Sequence, residues 1–474
     1  MSTFSGLNTA YTGLVAAKTG LDIVGQNIAN AGTAGYTRQR VTTSGVPALN
    51  SGGLFTGGVR PGQGVSVDGI ARLDDVTLDN RVRSTTALFG YSSVRAKALS
   101  TLETSLNEPG ANGLSAQLQE FWAAWHDVSN QVGEQAPASA LLGRAGVLTA
   151  QIAQGYQQVD DQWTQLRSNV DGMVDDLNTA ASEVAQLNGR IRSTLASGGS
   201  ANELMDRRDV LTAKIANLAG GTVRQSPDGT VDVLIGGNAI VSGTTFNAVQ
   251  SAGARRMSDA AADPARLEWA HRPGAAIAME GGSIAGALST LAPADASGTG
   301  GVLAEAAASY NGFAVTLAGQ VNAIHQTGAT PGGATGLDFF AIDPTKPAAL
   351  GLSVVPTNLS QIAAGTPGAG GSNGSVADQI AQLGTTANSP DKLWSSFVVR
   401  VGVASKSEQQ QSALADLASK SAVTSQLSNS SVDMDEENMN MITFQHAYQG
   451  AARVMTAVDE ALDVLINHTG LVGR

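Results

Sequence analysis

The chain has 474 residues, 42% apolar but only 4% aromatic, with 56 glycines, no cysteine and a net charge of −12. That length calls for two to four domains built on Ala, Val and Leu, and the missing thiols exclude disulfides, thiolate metal sites and cysteine nucleophiles. The arginine pairs Arg207-Arg208 and Arg255-Arg256 are isolated, which argues against nucleic acid as a partner, because phosphate binding needs clustered cations.

The first element carries a heptad. Leu7, Leu14, Leu21 and Ile28 recur every seven residues, with Ala10, Ala17 and Val24 three further on each time. This is the a/d seam of a helix that packs along another helix. Lys18 and Asp22 are its only charges. Asn30, Gly32 and Gly35 then end it, since glycine accepts the left-handed conformation at a helix C-terminus. No run of about 18 apolar residues follows anywhere, so no membrane insertion is expected. The N-terminus also lacks the basic and unbroken apolar regions of a cleaved signal peptide.

The stretch "GQGVSVDGI" at 62–70 contains Gly-x-Gly without the rest of a nucleotide-binding loop, so it reads as a strand entered through a turn. Helical spacing runs over 90–107, 112–132 and roughly 138–197, and a further helix covers 201–219. The third of these is far longer than the average globular helix of about 11–12 residues, and it predicts a rod-like body. Residues 221–283 alternate like strands and carry the Asp228-Gly229 turn. Residues 303–326 return to helix. Residues 327–375 are rich in Gly, Pro, Ala and Thr and read as a small β or irregular insertion, and 392–428 is helical again.

The last segment has a second heptad. Met434, Met441, Tyr448, Met455 and Leu462 lie seven apart, with Phe444, Ala451, Val458 and Leu465 at the offset positions. Its opening "DMDEEN" puts carboxylates where the helix dipole favours them. Periodicity leaves two readings open: the terminal helices pair as a coiled coil, or each packs separately on the body. A methionine stripe at this spacing is core, or adaptable packing in an assembly. The fold expected is mainly α with inserted β: a long-helix hairpin with a helical middle domain and a β-rich outer insertion.

Chemistry is sparse. None of His126, His271, His325, His446 and His468 has a second histidine at the i+3 or i+4 spacing of helical metal ligands. The carboxylate pairs Asp160-Asp161, Asp175-Asp176 and Glu436-Glu437 are sequence neighbours on helices, whereas a glycosidase needs two carboxyls facing across a cleft. No catalytic, metal or cofactor site is expected, and no enzyme.

The stretch "GLNTAYTGLVAAKTGLDIVGQNIANAGTAGYTRQRV" resembles the N-terminal signature of bacterial flagellar axial proteins, the rod, hook and hook-associated family, most closely its hook-associated FlgK type. Asn27, Asn30, Gly35, Tyr36 and Arg38 stand at the motif positions, and Gly32 and Ala34 depart from the usual Asn-Thr-Pro-Gly-Tyr. "VDMDEENMNMITFQHAYQGAARVMTAVDEALDVLIN" is similar to the family's closing helix, with Gln445 and Arg453 at motif positions. "GQGVSVDGIARLDD" and "NELMDRRDVL" match the same branch.

The resemblance implies a structural subunit, exported through the flagellar type III channel without a cleaved signal and located outside the cell at the hook–filament junction. It implies a coiled-coil domain of 1–36 and 430–474, a helical middle of 37–220, 284–326 and 391–429, and an outer insertion of 221–283 and 327–390. It implies self-assembly into a helical ring, contact with the hook protein and the second junction protein, and a cytoplasmic export chaperone on the C-terminal helix. Rivals are another axial subunit, or a glycan hydrolase or adhesin carried by 221–390.

Overall fold

The computed structural model describes residues 3–47, 62–370 and 372–468. Helix α1 (Thr3–Asn30) leads into a hairpin, β1 (Gln39–Gly45) and β2 (Val65–Arg72). Four helices follow: α2 (Val76–Leu106), α3 (Leu114–Asn130), α4 (Gln135–Ala196) and α5 (Asn202–Ala219). The β region comprises β3 (Thr222–Gln225), β4 (Val231–Ile235), β5 (Asn238–Ser242), β6 (Thr245–Phe246), β7 (Val249–Ala252), β8 (Arg266–Trp269) and β9 (Arg272–Ala276). These form antiparallel sheets ordered β3-β4-β5-β6 and β7-β8-β9. Then come α6 (Gly282–Leu291), α7 (Val302–His325), β10 (Phe340–Ile342), α8 (Ala348–Gly351), β11 (Leu352–Val354) and α9 (Ser375–Ala381). Two long helices close the chain, α10 (Pro390–Ser430) and α11 (Met434–Asp463).

The spine is α4, with 62 residues and a length of about 93 Å at 1.5 Å per residue. It is buried along one face: Leu141, Leu148, Ile152, Val159, Trp163, Val170, Leu177, Val184 and Ile191. Its only proline, Pro137, sits in the first turn, where a missing N–H costs nothing. Helices α2, α10 and α11 start with side-chain caps. Asp75 accepts from the N–H groups of Thr77 and Leu78, Ser389 accepts from Lys392, and Asp433 accepts from Asp435 and Glu436.

Helix α2 starts at Val76, about four turns before the expected 90, because its early residues include exposed Val76 and Leu88 that blur the apolar periodicity. It lies along α10, tied by Arg95 to Glu408 at 2.7 Å and by Gln426 to Asp79 at 2.6 Å.

Residues 327–390 hold less strand than their composition suggests, two paired three-residue strands and the short helices α8 and α9. They plug into the helical core. Phe339 and Phe340 are buried, with ring centroids 6.0 and 5.8 Å from Phe121, and Phe339 lies 4.9 Å from Trp125. His325 completes this cluster. Its Nδ1 donates to the carbonyl of Leu337 at 2.7 Å, and its Nε2 accepts from the Ala363 N–H at 2.9 Å. That arrangement needs the neutral ring, and burial holds its pKa below the ordinary value.

The linkage has a definite sign. A histidine whose folded pKa is depressed contributes fully above its unfolded value of about 6.5 and loses that contribution as pH falls below it. We expect the melting temperature to drop on acidification from pH 6.5, and to drop less steeply in His325→Gln. Equal slopes in a thermal melt series would count against this role.

Candidate assembly interface

The terminal helices run antiparallel in contact. Gly6 faces Val458, Gly13 faces Ala451 and Gly20 faces Phe444, so the contact steps seven residues forward on α1 and seven back on α11. A Cβ added at Gly20 would lie 2.5 Å from the Phe444 ring, so the ring seats against bare backbone. One step further, Asn27 meets Glu437. The face of α1 turned to its neighbours is therefore Gly6, Gly13, Gly20 and Asn27, flanked by buried Ala10, Ala17 and Val24. The heptad Leu7, Leu14, Leu21 and Ile28 sits beside it, half-buried.

On α11, Phe444, Met455, Val458 and Leu462 are half-buried. Met434, Met441, Tyr448 and Leu465 flank that contact and, with Met439 and Ile442, are 37–66% exposed. Tyr11 is 57% exposed on α1. The two paired helices thus leave several large apolar side chains open to solvent.

Where these helices meet the body, the chain builds a polar knot. Asn27 is buried and spends its whole amide there. Its Nδ2 donates to the Gln39 carbonyl at 2.9 Å and to Glu437 Oε2 at 3.2 Å, and its Oδ1 accepts from Tyr36 OH at 2.8 Å and Gln39 N at 3.0 Å. Arg38 spans the two carboxylates at the start of α11, with Nε 2.7 Å from Glu437 and Nη2 2.8 Å from Glu436. Its backbone N–H donates to the carbonyl of Ser430, the last residue of α10. Gly35 has φ +80, and a Cβ there would meet Val210 at 2.5 Å. It is the position where the chain must turn left-handed against α5. Asn30 helps close the helix end, donating to the Gln26 carbonyl and accepting from Thr33.

The knot continues into α5. The Thr37 N–H donates to Asp206, and Arg72 from β2 reaches Asp206 and Asp209, both at 2.8 Å. Asn202 donates to Gln39 Oε1 and to the Ile70 carbonyl. Burial, with Asp206, Glu203 and Glu437 nearby, pushes the Tyr36 phenol up to about 12, so it stays a donor to Asn27. Burial also raises the Asp206 carboxyl against the pull of Arg72.

Of the signature residues, Asn27, Asn30, Gly35, Tyr36 and Arg38 come together here. Gln445 and Arg453 lie apart, exposed on α11. Sequence reading missed Gln39, Arg72, Asp206, Glu436 and Glu437 as members. The signal was present in the interior motifs that hold Arg72 and Asp206, but nothing in the sequence joined those motifs to the N-terminal loop.

Among the described residues no group of three or more His, Asp or Glu side chains could hold a metal, and no helix is long and apolar enough to cross a membrane. The run Gly370 to Gly374 has Gly-x-Ser-x-Gly spacing but follows a loop, not the strand that a nucleophile elbow requires. The His468 side chain lies outside the described residues.

Comparison with known proteins gives a consistent set. The family model for "Flagellar hook-associated protein FlgK helical domain" matches residues 99–340, more than half of the chain. That for "Flagellar basal body rod FlgEFG protein C-terminal" matches 424–467. Flagellar hook-associated protein 1 of Bacillus subtilis is 29% identical over the whole of both chains. The protein of that name from Escherichia coli is 29% identical over 73% of this chain and 61% of its own length. The Salmonella typhimurium one is 30% identical over 71% and 59%. The chain thus spans all of the Bacillus relative and about three fifths of the enteric ones. The solved flagellar hook junction protein FlgK from Burkholderia pseudomallei has a similar fold, with a TM-score of 0.62 at 16% identity over 74% of this chain and 100% of that one.

Proposed function

The chain belongs to the flagellar hook-associated protein FlgK family, and on that premise we propose that it is a non-enzymatic structural subunit forming the layer between hook and filament. The observation that carries this reading is the terminal helix pair. Its glycine-backed contact repeats every seven residues, and its remaining apolar side chains stay exposed on an isolated chain. Such a pair gains burial only when copies pack side by side, so we read 1–36 and 430–474 as a coiled-coil domain lining the inside of a ring. The helical middle and the sheets of 221–283 lie outside it.

The partners that follow are further copies of this chain, the hook protein on one side and the second junction protein on the other. A cytoplasmic chaperone would cover the exposed face of α11 before export. The subunit would leave the cell through the flagellar export channel without a cleaved signal and act outside it.

The test is gold labelling with an antibody to this protein on intact hook–filament preparations. A single band where hook meets filament is expected. Label along the whole hook would assign the chain to the hook itself, and a flagellum without label would return the question to the sheets.

A further inference from the structure

We propose that the cleft walled by α2, α3 and α4 over Tyr310 is a binding site for a neutral oligosaccharide. None of its lining residues belongs to α1 or α11, so the proposal does not depend on the assembly reading.

The cleft has a volume of about 720 Å³, within the range of roughly 300–1,000 Å³ that holds a small ligand. Six carboxamides line it: Asn107 and Asn112 from the α2–α3 connection, Gln117 from α3, and Gln151, Gln154 and Gln158 from α4. The three glutamines of α4 follow the i, i+3, i+7 spacing of one helix face. Among the described residues, only Gln151 of these six side chains is hydrogen-bonded within the chain, through Nε2 to the Asn112 carbonyl at 2.6 Å. No charged side chain lines the cleft. The Glu108 carboxylate, in the same connection, is taken up by Trp394 Nε1 and the Ser115 N–H, at 2.9 and 2.8 Å.

The floor supplies the observation that solvation of an open surface does not explain. Tyr310 of α7 is only 4% exposed. Its ring is fixed against Trp394 and Phe397, at centroid distances of 5.1 and 5.9 Å. It reaches the cleft over Gly155, where an added Cβ would lie 2.5 Å from the hydroxyl. That hydroxyl has no hydrogen-bond partner among the described residues. Burial, with Glu108 nearby, pushes the phenol pKa up, so the group stays a donor. Buried polar groups are as a rule paired, and a donor left open at the floor of a cleft calls for an acceptor that comes from outside.

The lining selects the class of ligand. A carboxamide offers a donor and an acceptor side by side, each sugar hydroxyl offers both on one atom, and the two pair reciprocally. An uncharged lining gives no counter-charge to a phosphate, a carboxylate or a metal ion. Leu114, Val147 and Ala150 on the walls suit the C–H faces of sugar rings. No carboxylate pair faces across the cleft, so the ligand is held and not hydrolysed.

The full chain is titrated with maltotetraose, cellotetraose and chitotetraose, followed by calorimetry and ligand-observed NMR. At least one tetraose is expected to bind with a millimolar or tighter constant. Gln154→Ala/Gln158→Ala changes two exposed positions to the best helix former. It should keep the helical spectrum and weaken that binding at least about tenfold. Tyr310→Phe should leave the melting temperature unchanged, since the hydroxyl has no partner to lose, and weaken binding about three- to tenfold. The methyl glycoside of the same sugar separates two sources. Far weaker binding than the tetraose indicates a polysaccharide chain, equal binding indicates a single sugar carried on another molecule, and both support the site. No binding of any tetraose at about 10 mM, or binding that neither variant weakens, overturns it. So does tighter binding of acetyl-trialanine amide than of every sugar, which would make the cleft a peptide groove.

Discussion

Replacing Arg38 with alanine will release the terminal helices from the body while the body stays folded. The side chain of Glu437 is 1% exposed, and its Oε1 is held by Arg38. Without that cation only the Asn27 amide, 3.2 Å from the other oxygen, remains to face a buried carboxylate. Breaking one side of such a pair costs about 3–5 kcal/mol, because the other charge stays out of water. The loss is concentrated in one place, since the same guanidinium also clamps Glu436, while the main-chain bond from residue 38 to Ser430 survives in alanine. Hydrogen exchange should show amides of 20–30 and 434–444 losing protection, with α3, α4 and α7 unchanged. Adding Glu437→Gln to the variant should restore part of the protection, because a neutral amide tolerates the missing guanidinium. Arg38→Lys should not, because one ammonium lacks the fork that spans two carboxylates. Undiminished protection in α11 would show that the knot does not hold the terminal pair.

The second large effect belongs to Trp125. It is fully buried, with Phe121, His325 and Phe339 around its ring at centroid distances of 6.3, 6.1 and 4.9 Å. Trp125→Ala should cost about 3–5 kcal/mol, as burial is lost and a cavity opens among rings that meet from α3, α7 and residues 337–340. The indole N–H has no hydrogen-bond partner, so Trp125→Phe gives up area without stranding a polar group. It should cost well under half as much. Urea unfolding followed by far-ultraviolet dichroism separates the two. Equal losses would mean that the indole N–H matters in a way the geometry does not contain.

The helical order was legible because burial leaves a period in the sequence. The expected span of 138–197 and the observed Gln135–Ala196 nearly coincide, since Leu141, Leu148 and Ile152 must point one way. The side of α1 that meets α11 was not legible from its leucines. The contact runs through Gly6, Gly13 and Gly20, which also recur every seven residues, but a hydrophobic pattern cannot register a residue whose contribution is lack of a side chain. The knot was half legible. Asn27, Tyr36 and Arg38 stand out together, yet Glu437 lies 399 residues beyond Arg38 and read as a helix-dipole carboxylate and one of a neighbouring carboxylate pair. Residues 327–390 misled for a compositional reason. Gly, Ala and Thr weaken every periodicity, so two core phenylalanines looked like loop residues.

The pairing of α2 with α10 constrains how the chain can reach its native state. Arg95 binds Glu408 313 residues later, Asp79 accepts from Gln426 347 residues later, and Asn27 reaches Glu437 across 410. Closing loops of that length is slow, and nothing rewards it until both ends are present. A chain emerging from its N-terminus would hold the α10-facing side of α2 and the glycine face of α1 bare until α10 and α11 arrive. Helices α3 to α9 and the sheets between them lie within 114–381 and can condense first. The strap of α10 and α11 would then close the molecule in one late step, so maturation of the subunit is timed by its C-terminus.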